Sequence, residues 1–224
     1  MLRGLYLVTP EWADSARLLA ASEAALRARP ALLQYRDKSG DAVRRRAEAS
    51  GLRALCRVAG VPLIINDDLE LALAVDADGV HLGRDDGALD AARARLGPDR
   101  ILGVTCYNDV ARAESAVALG ADYVAFGAMY PSPSKPQAVV ATPTVLAEAR
   151  ARCGVPIAAI GGITLDNAPP LVAAGADLLA VISDVFMAAD VAARAAAYRV
   201  LFDAPPSQAC AQAAVQEQPI RKNP

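Results

Sequence analysis

Aromatic residues are scarce in this chain of 224 residues: three Phe, one Trp and six Tyr make up 4% of it. Hydrophobic residues reach 54%, much of it alanine, a composition that suits many short amphipathic helices packed closely on another layer. An excess of either charge is lacking too. With 23 basic and 25 acidic residues in mixed order, the formal net charge is −2. No chain-wide field therefore draws nucleic acid or an anionic membrane, and an anionic ligand must be met by a local cluster. No apolar run reaches the roughly 18 residues of a membrane span, and "MLRGLYLVTPEW" at the N-terminus has no apolar stretch leading to a small-residue cleavage site. The expectation is a cytoplasmic protein. The four cysteines, Cys56, Cys106, Cys153 and Cys210, form no CxxC or Cys/His ligand pattern, and read as free, mostly buried thiols in a reducing compartment.

What is present is alternation. Short apolar runs bounded by turn residues are spaced along the chain at 4–9, 31–36, 62–66, 79–82, 101–105, 122–127, 156–161 and 177–182. Between them lie segments such as "DSARLLAASEAALRAR", whose apolar residues recur at three and four, as on one face of a helix. Glycines follow these segments, in "VAGVP", "ALGAD" and "AAGAD", where a chain leaving a helix takes a left-handed residue. "GVP" and "GAD" each occur twice before a strand, so one unit is being repeated. Strands apolar on both faces and joined by helices pair in parallel. Eight such units predict an α/β fold, a single (β/α)8 TIM barrel over residues 1–203, near the short end of that fold's size range. The rival is a doubly wound open sheet, but the turn after the first strand, "TPEWADS", has no GxGxxG. The tail 204–224, "APPSQACAQAAVQEQPIRKNP", is expected to be disordered.

In such a barrel the site is built at the C-terminal ends of the strands. There, "LLQYRDK" places Gln34, Arg36 and Lys38 on one strand face, with Leu33 and Tyr35 on the other. Converging cations suit a pyrophosphate; alternatively Arg36 pairs with Asp37 or Asp41. "IINDD" leaves Asn66, Asp67 and Asp68 at the third strand's tip, and "HLGRDD" gives Asp85 and Asp86. Helix capping explains any one of these acids, but two clusters beside cations also suit Mg²⁺ completed by substrate phosphates. Thr105 ends the fifth strand. His81 is read as structural, and Cys106 lacks a partner base. After the last two strands, Gly161 and Gly162, then Ile182 and Ser183 at a short extra helix, fit the usual phosphate site of this fold. "YPSPSKPQ", residues 130–137, follows the sixth strand and is expected to be a βα lid loop.

Taken in order, "QYRDK", "NDD", "GVHLGRDD", "GVT", "YPSPSK", "GGIT" with "DN", and "VIS" resemble the thiamine phosphate synthase family over essentially the whole chain to about residue 202. The resemblance implies a transferase of thiamine biosynthesis. Such an enzyme joins 4-amino-2-methyl-5-(diphosphomethyl)pyrimidine to 4-methyl-5-(2-phosphoethyl)thiazole, releasing pyrophosphate. It further implies pyrimidine diphosphate contacts from Gln34, Tyr35, Arg36, Asp37, Lys38, Asn66, Thr105 and Lys135, with Arg36, Lys38 and Lys135 catalytic. Asp67 and Asp86 would ligate Mg²⁺, and Ser132, Pro133, Ser134, Gly162, Ile182 and Ser183 would hold the thiazole phosphate. Thr105 stands where serine is common, and Tyr107 where many relatives have histidine. The implied partners are two small phosphorylated molecules, with no nucleic acid or membrane, and homo-oligomerisation is left open. The alternatives are a thiazole tautomerase-like barrel, disfavoured by the retained cations and acids, and a silent thiazole-phosphate-binding protein.

Overall fold

The computed structural model describes residues 2–84, 86–131 and 141–203. Asp85, residues 132–140 and the tail from 204 lie outside them. The expectations for Ser132, Pro133, Ser134, Lys135, the lid loop, Cys210 and a disordered tail therefore fall outside the described residues.

Eight parallel strands close on themselves in sequence order, which removes the open-sheet alternative. They are β1 (Gly4–Val8), β2 (Leu32–Tyr35), β3 (Leu63–Asn66), β4 (Gly79–Leu82), β5 (Ile101–Tyr107), β6 (Tyr123–Phe126), β7 (Ile157–Ile160) and β8 (Leu178–Val181). The crossovers are α1 (Ser15–Leu26), α2 (Ala42–Ala59), α3 (Leu69–Ala74), α4 (Leu89–Leu96), α5 (Val110–Ala118), α6 (Pro143–Arg152) and α7 (Pro169–Ala173). After β8 come three short helices: α8 (Ser183–Phe186), α9 (Val191–Ala197) and α10 (Val200–Asp203). The seven-residue β5 runs beyond the run read from sequence, and its pairing with β6 shifts register between Thr105 and Tyr107. Among the described residues no helix is long and apolar enough to cross a membrane.

Aspartate starts five of the ten described helices. Asp14, Asp41, Asp68, Asp109 and Asp190 each accept a backbone N–H three residues on. Each such cap is worth about 1 kcal/mol, so these acids are tied to the fold and withdrawn from general electrostatic duty. Strand side chains alternate between two layers. Leu33, Tyr35, Leu63, Ile65, Val80, Leu102, Val104 and Phe126 face the helices, in one continuous buried layer with Leu18, Leu52, Leu146 and Leu171. Tyr6, Val8, Leu32, Ile64, Tyr123, Ala125, Ala158 and Leu178 fill the barrel interior. The scarcity of aromatics leaves two tyrosines to fill much of that interior.

The repeated Ala-Asp before alternate strands has a physical reason. Asp78, Asp122 and Asp177 precede β4, β6 and β8. Each carboxylate accepts an N–H at the start of the strand before it, from Leu63 (2.7 Å), Leu102 (2.7 Å) and Ile157 (3.0 Å). Each also pairs with an arginine from the helix that leads into that same strand, α2, α4 or α6: Arg53, Arg93 and Arg150 at 2.8, 2.5 and 2.5 Å. These three clasps close the bottom of the barrel, the end opposite the expected site. Asp177 is buried, so Asp177→Ala strands the buried Ile157 N–H, opens a small cavity and leaves the half-exposed Arg150 without its partner. We expect a loss of about 3 kcal/mol in unfolding free energy, read from urea denaturation midpoints.

Cys56, Cys106 and Cys153 are free and buried. Burial pushes the Cys56 and Cys106 thiols up to about 12, which keeps them protonated and poor nucleophiles.

Candidate active site

The residues singled out at the strand ends divide into three groups by where the barrel places them. The first lines a cavity of about 580 Å³ over β2, β3 and β4, whose walls include Asp37, Lys38, Arg45, Asn66, Asp67 and Asp86. Lys38 Nζ lies 3.3 Å from Asp67 Oδ2. The Asp67 and Asp86 carboxyls are neighbours in this cavity wall. Burial first, then this neighbour, lift the Asp86 carboxyl above the usual aspartate value of 3.8. Asp86 is anchored by the Gly83 N–H, 2.6 Å from Oδ2. Asp67 takes a left-handed backbone conformation (φ 63°) as β3 ends, which a short polar side chain tolerates better than a bulky one.

Two carboxylates forced this close favour either a proton or a cation between them. Their hard oxygens fit Mg²⁺, which commonly takes one or two carboxylates and completes its shell with phosphates and water. Among the described residues no cluster of three or more His, Cys, Asp or Glu side chains could hold a metal alone. Asp68 has other work. Its Oδ1 accepts the Leu71 N–H at 2.9 Å and its Oδ2 takes Arg45 at 2.8 Å, so it caps α3.

A second group lies beneath the mouth, on the inner strand faces. Gln34 and His81 are buried, and Thr105 is half-buried above them. Gln34 Nε2 donates to the Tyr6 hydroxyl (2.5 Å), and the Tyr6 and Tyr123 hydroxyls are 2.6 Å apart. His81 joins Tyr123 through Nδ1 (2.9 Å) and Thr105 through Nε2 (2.7 Å). Arg36, also on the inward register, is drawn toward β1 by an ion pair with Glu11, while its N–H donates to Thr9 Oγ1 at 2.9 Å. The pairing of Arg36 with Asp37 or Asp41 is thus replaced. Asp41 caps α2, and Asp37 pairs with Arg44 at 2.8 Å. Burial alone would raise the Asp37 carboxyl, but hydrogen bonds from Ser39 and the Arg44 charge hold it below 3.8.

Tyr35 belongs to neither group. Period two turns its ring outward from the barrel, and its hydroxyl donates to Glu48 Oε2 at 2.7 Å, while Ser15 donates to Oε1 at 2.5 Å. Its side chain is therefore a strut between β2, α1 and α2, and does not offer a contact at the mouth. Tyr35→Phe leaves one oxygen of the buried Glu48 without its donor. We expect it to cost about 1–3 kcal/mol of stability by chemical denaturation.

The third group sits at β7 and β8. Gly161 (φ 102°) and Gly162 (φ 63°) face the chain that follows β6. A Cβ at 161 would stand 2.6 Å from Ala128 Cβ, and one at 162 would stand 2.8 Å from the Tyr130 and Pro131 carbonyl oxygens. The glycine pair is thus required by packing of two βα loops, whatever ligand the loops also meet. Asn167 ties the same corner, donating to the Gly162 carbonyl at 3.0 Å and accepting the Thr164 N–H at 2.8 Å. The Tyr130 hydroxyl donates to the Asn167 carbonyl at 2.8 Å. Half-buried Ile182 packs on the inner layer, and exposed Ser183 starts α8.

Sequence reasoning passed over Glu11, Tyr6 and Tyr123. Glu11 was findable, since it stands in the loop after β1 and the test of polar residues at strand ends applies to it equally. Tyr6 and Tyr123 lie 117 residues apart within apolar runs, and nothing local marks their hydroxyls as partners.

Carboxylates and cations gathered over the C-terminal ends of a parallel (β/α)8 barrel, with a glycine-bearing corner opposite, define an enzyme class that handles phosphorylated small molecules. The family profile described as thiamine monophosphate synthase matches residues 5–185, and the chain belongs to that family. It is 67% identical over 201 residues to the thiamine-phosphate synthase of an Azoarcus species, covering 90% of this chain and 98% of that one. With the thiamine-phosphate synthase of Aromatoleum aromaticum it shares 64% over 203 residues, 91% of this chain and 98% of the other. Among solved structures, the thiamine phosphate pyrophosphorylase of Pyrococcus furiosus superposes with a TM-score of 0.78 at 31% identity, over 88% of this chain and 94% of that one.

Proposed function

We infer that the chain carries out the reaction of its family, thiamine phosphate synthesis, as a transferase that moves a pyrimidinylmethyl group from pyrophosphate to a thiazole nitrogen. Identity of 67% over nearly the whole chain is the observation that carries the reaction, and the acid and cation cluster at the mouth supports the way it is performed.

The exocyclic methylene carbon of the pyrimidine diphosphate loses its bond to oxygen, and the electron pair departs with pyrophosphate. The electron-rich aminopyrimidine spreads the positive charge, and the thiazole nitrogen then gives its lone pair to the same carbon. No protein nucleophile is needed, consistent with buried, protonated Cys56 and Cys106. The chain's task is to neutralise the leaving group and orient the acceptor. Arg36 and Lys38 supply charge, and each is held beside an acid, Glu11 and Asp67, that the phosphates would displace or share. Asp67 and Asp86 would hold Mg²⁺, which when bound supplies Lewis-acid neutralisation of the diphosphate. Gln34, Asn66 and Thr105 would meet the pyrimidine substrate, and Gly162, Ile182 and Ser183 the thiazole phosphate. Ser132, Pro133, Ser134 and Lys135 keep the roles that the resemblance implies, the serines and Pro133 toward the thiazole phosphate and Lys135 toward pyrophosphate.

Metal removal tests this reading. Exhaustive chelation should abolish turnover, and added Mg²⁺ should restore it while circular dichroism stays unchanged. Full activity in excess chelator would remove the metal from the scheme.

A further inference from the structure

Beneath the mouth, four side-chain hydrogen bonds join five residues from five strands: Gln34, Tyr6, Tyr123, His81 and Thr105. All but Thr105 are buried, so a proton left without an acceptor there loses its hydration with nothing in return. With the Gln34 amide nitrogen turned toward Tyr6, that cost decides which way the chain runs.

The Gln34 amide nitrogen can only donate, and it donates to Tyr6. If Tyr6 then donates to Tyr123, and Tyr123 to His81 Nδ1, every buried hydroxyl accepts one bond and donates one. In the opposite sense, with His81 Nδ1 donating to Tyr123 and Tyr123 to Tyr6, the Tyr6 hydroxyl accepts twice and its own proton points at no acceptor. An imidazole that accepts at Nδ1 is neutral and carries a single N–H. With Nδ1 accepting, that hydrogen sits on Nε2 and is donated to Thr105 Oγ1, 2.7 Å away. The Thr105 hydroxyl then has its own proton free, at the one member of the chain that is half-exposed at the mouth.

We propose that His81 is a positioning residue, fixed by the Gln34–Tyr6–Tyr123 chain in its Nε2–H tautomer so that Thr105 is committed as a hydrogen-bond donor to an anionic oxygen in the site. The oxygen it would meet, on the diphosphate of the pyrimidine substrate, rests on the functional reading above; the tautomer does not. Gly103 is part of the same device. A Cβ there would stand 2.1 Å from Tyr123 Cζ, so the missing side chain on β5 is what lets the Tyr123 ring lie between Tyr6 and His81. The imidazole and the Tyr123 ring stack with centroids 5.6 Å apart and an interplanar angle of 26°, which holds the histidine's plane as well as its polarity.

His81 is the sole histidine of the chain, so untagged protein labelled with ¹⁵N-histidine reports one imidazole. At neutral pH without substrate, Nε2 should show the protonated, pyrrole-type resonance and Nδ1 the unprotonated one. The reverse pattern, or an imidazolium, would overturn the proposal, and neither result depends on the reaction. Kinetics then tests the consequence. Tyr123→Phe removes one hydroxyl and keeps the ring, and should lower kcat about fivefold with little change in KM. In a Thr105→Val background the same change should have almost no further effect on kcat, because the group through which it acts is gone. Equal losses in both backgrounds would mean that the chain merely holds the barrel together, and would refute the proposal even if wild-type turnover is as expected.

Discussion

Asp67→Ala should lower kcat by about two orders of magnitude and raise the Mg²⁺ concentration needed for half-maximal rate, and Asp86→Ala should do the same. The size follows from what the pair does. Burial first, then the neighbouring Asp67, raise the Asp86 carboxyl, and a divalent cation held by the pair would relieve their repulsion while neutralising the departing pyrophosphate. Neither side chain caps a helix. Asp68 caps α3 and is braced by Arg45, so changes at 67 and 86 leave that helix start in place. Removing Asp67 also frees Lys38 from its acid partner, which should strengthen diphosphate binding in the absence of metal. The two changes are thus expected to differ in KM while agreeing in kcat. Steady-state rates across a Mg²⁺ series check both, and wild-type kcat at low Mg²⁺ in either variant would remove that residue from the metal site.

The largest expected loss of stability is at Gly103. Gly103→Val would put a branched side chain where the Tyr123 ring now lies, with its Cβ 2.1 Å from Cζ. Tyr123 is fully buried and tied to both Tyr6 and His81, so it cannot swing aside without abandoning two hydrogen bonds. Overpacking and the lost bonds together should cost about 4 kcal/mol. Gly60→Ala is the comparison. Gly60 ends α2 at φ 67°, and a Cβ at that position would meet nothing within 4 Å, so its cost is the left-handed backbone alone, about 1 kcal/mol. Urea denaturation followed by circular dichroism separates the two, and near-equal losses would show that the interior is looser than the contacts imply.

The barrel was legible because a parallel strand buried on both faces is written as an uninterrupted apolar run, and eight runs with helical spacers leave few other closures. "GVHL" and "YVAF" could be recognised as strands on those grounds. The repeat of Ala-Asp was visible as a repeat, but its purpose, a clasp between an N–H at the start of a strand and a helix arginine, needed the neighbouring strand. The mouth was legible only in part. Period two put Gln34, Arg36 and Lys38 on the inward face, and the strand ends put Asn66, Asp67 and Asp86 near them. Which acid each cation would choose was not decided locally. Arg36 passes over nearby Asp37 for Glu11, 25 residues earlier, because β1 and β2 are neighbours in the wall. Tyr35 lies between two inward residues and faces outward for the same periodic reason, so a contiguous motif misled where the strand pleat did not. His81 read alone as a structural residue, and only its bonds to Tyr123 and Thr105 connect it to the site.

The central claim is that one barrel mouth joins two phosphorylated rings and expels pyrophosphate. Its most direct test is to count thiamine phosphate and pyrophosphate in the same reaction, with purified protein, both substrates and Mg²⁺, and with each substrate omitted in turn. The account predicts the two products in equal amounts and neither accumulating when the thiazole phosphate or the pyrimidine diphosphate is left out. Tight binding of the thiazole phosphate with no pyrophosphate released would contradict it.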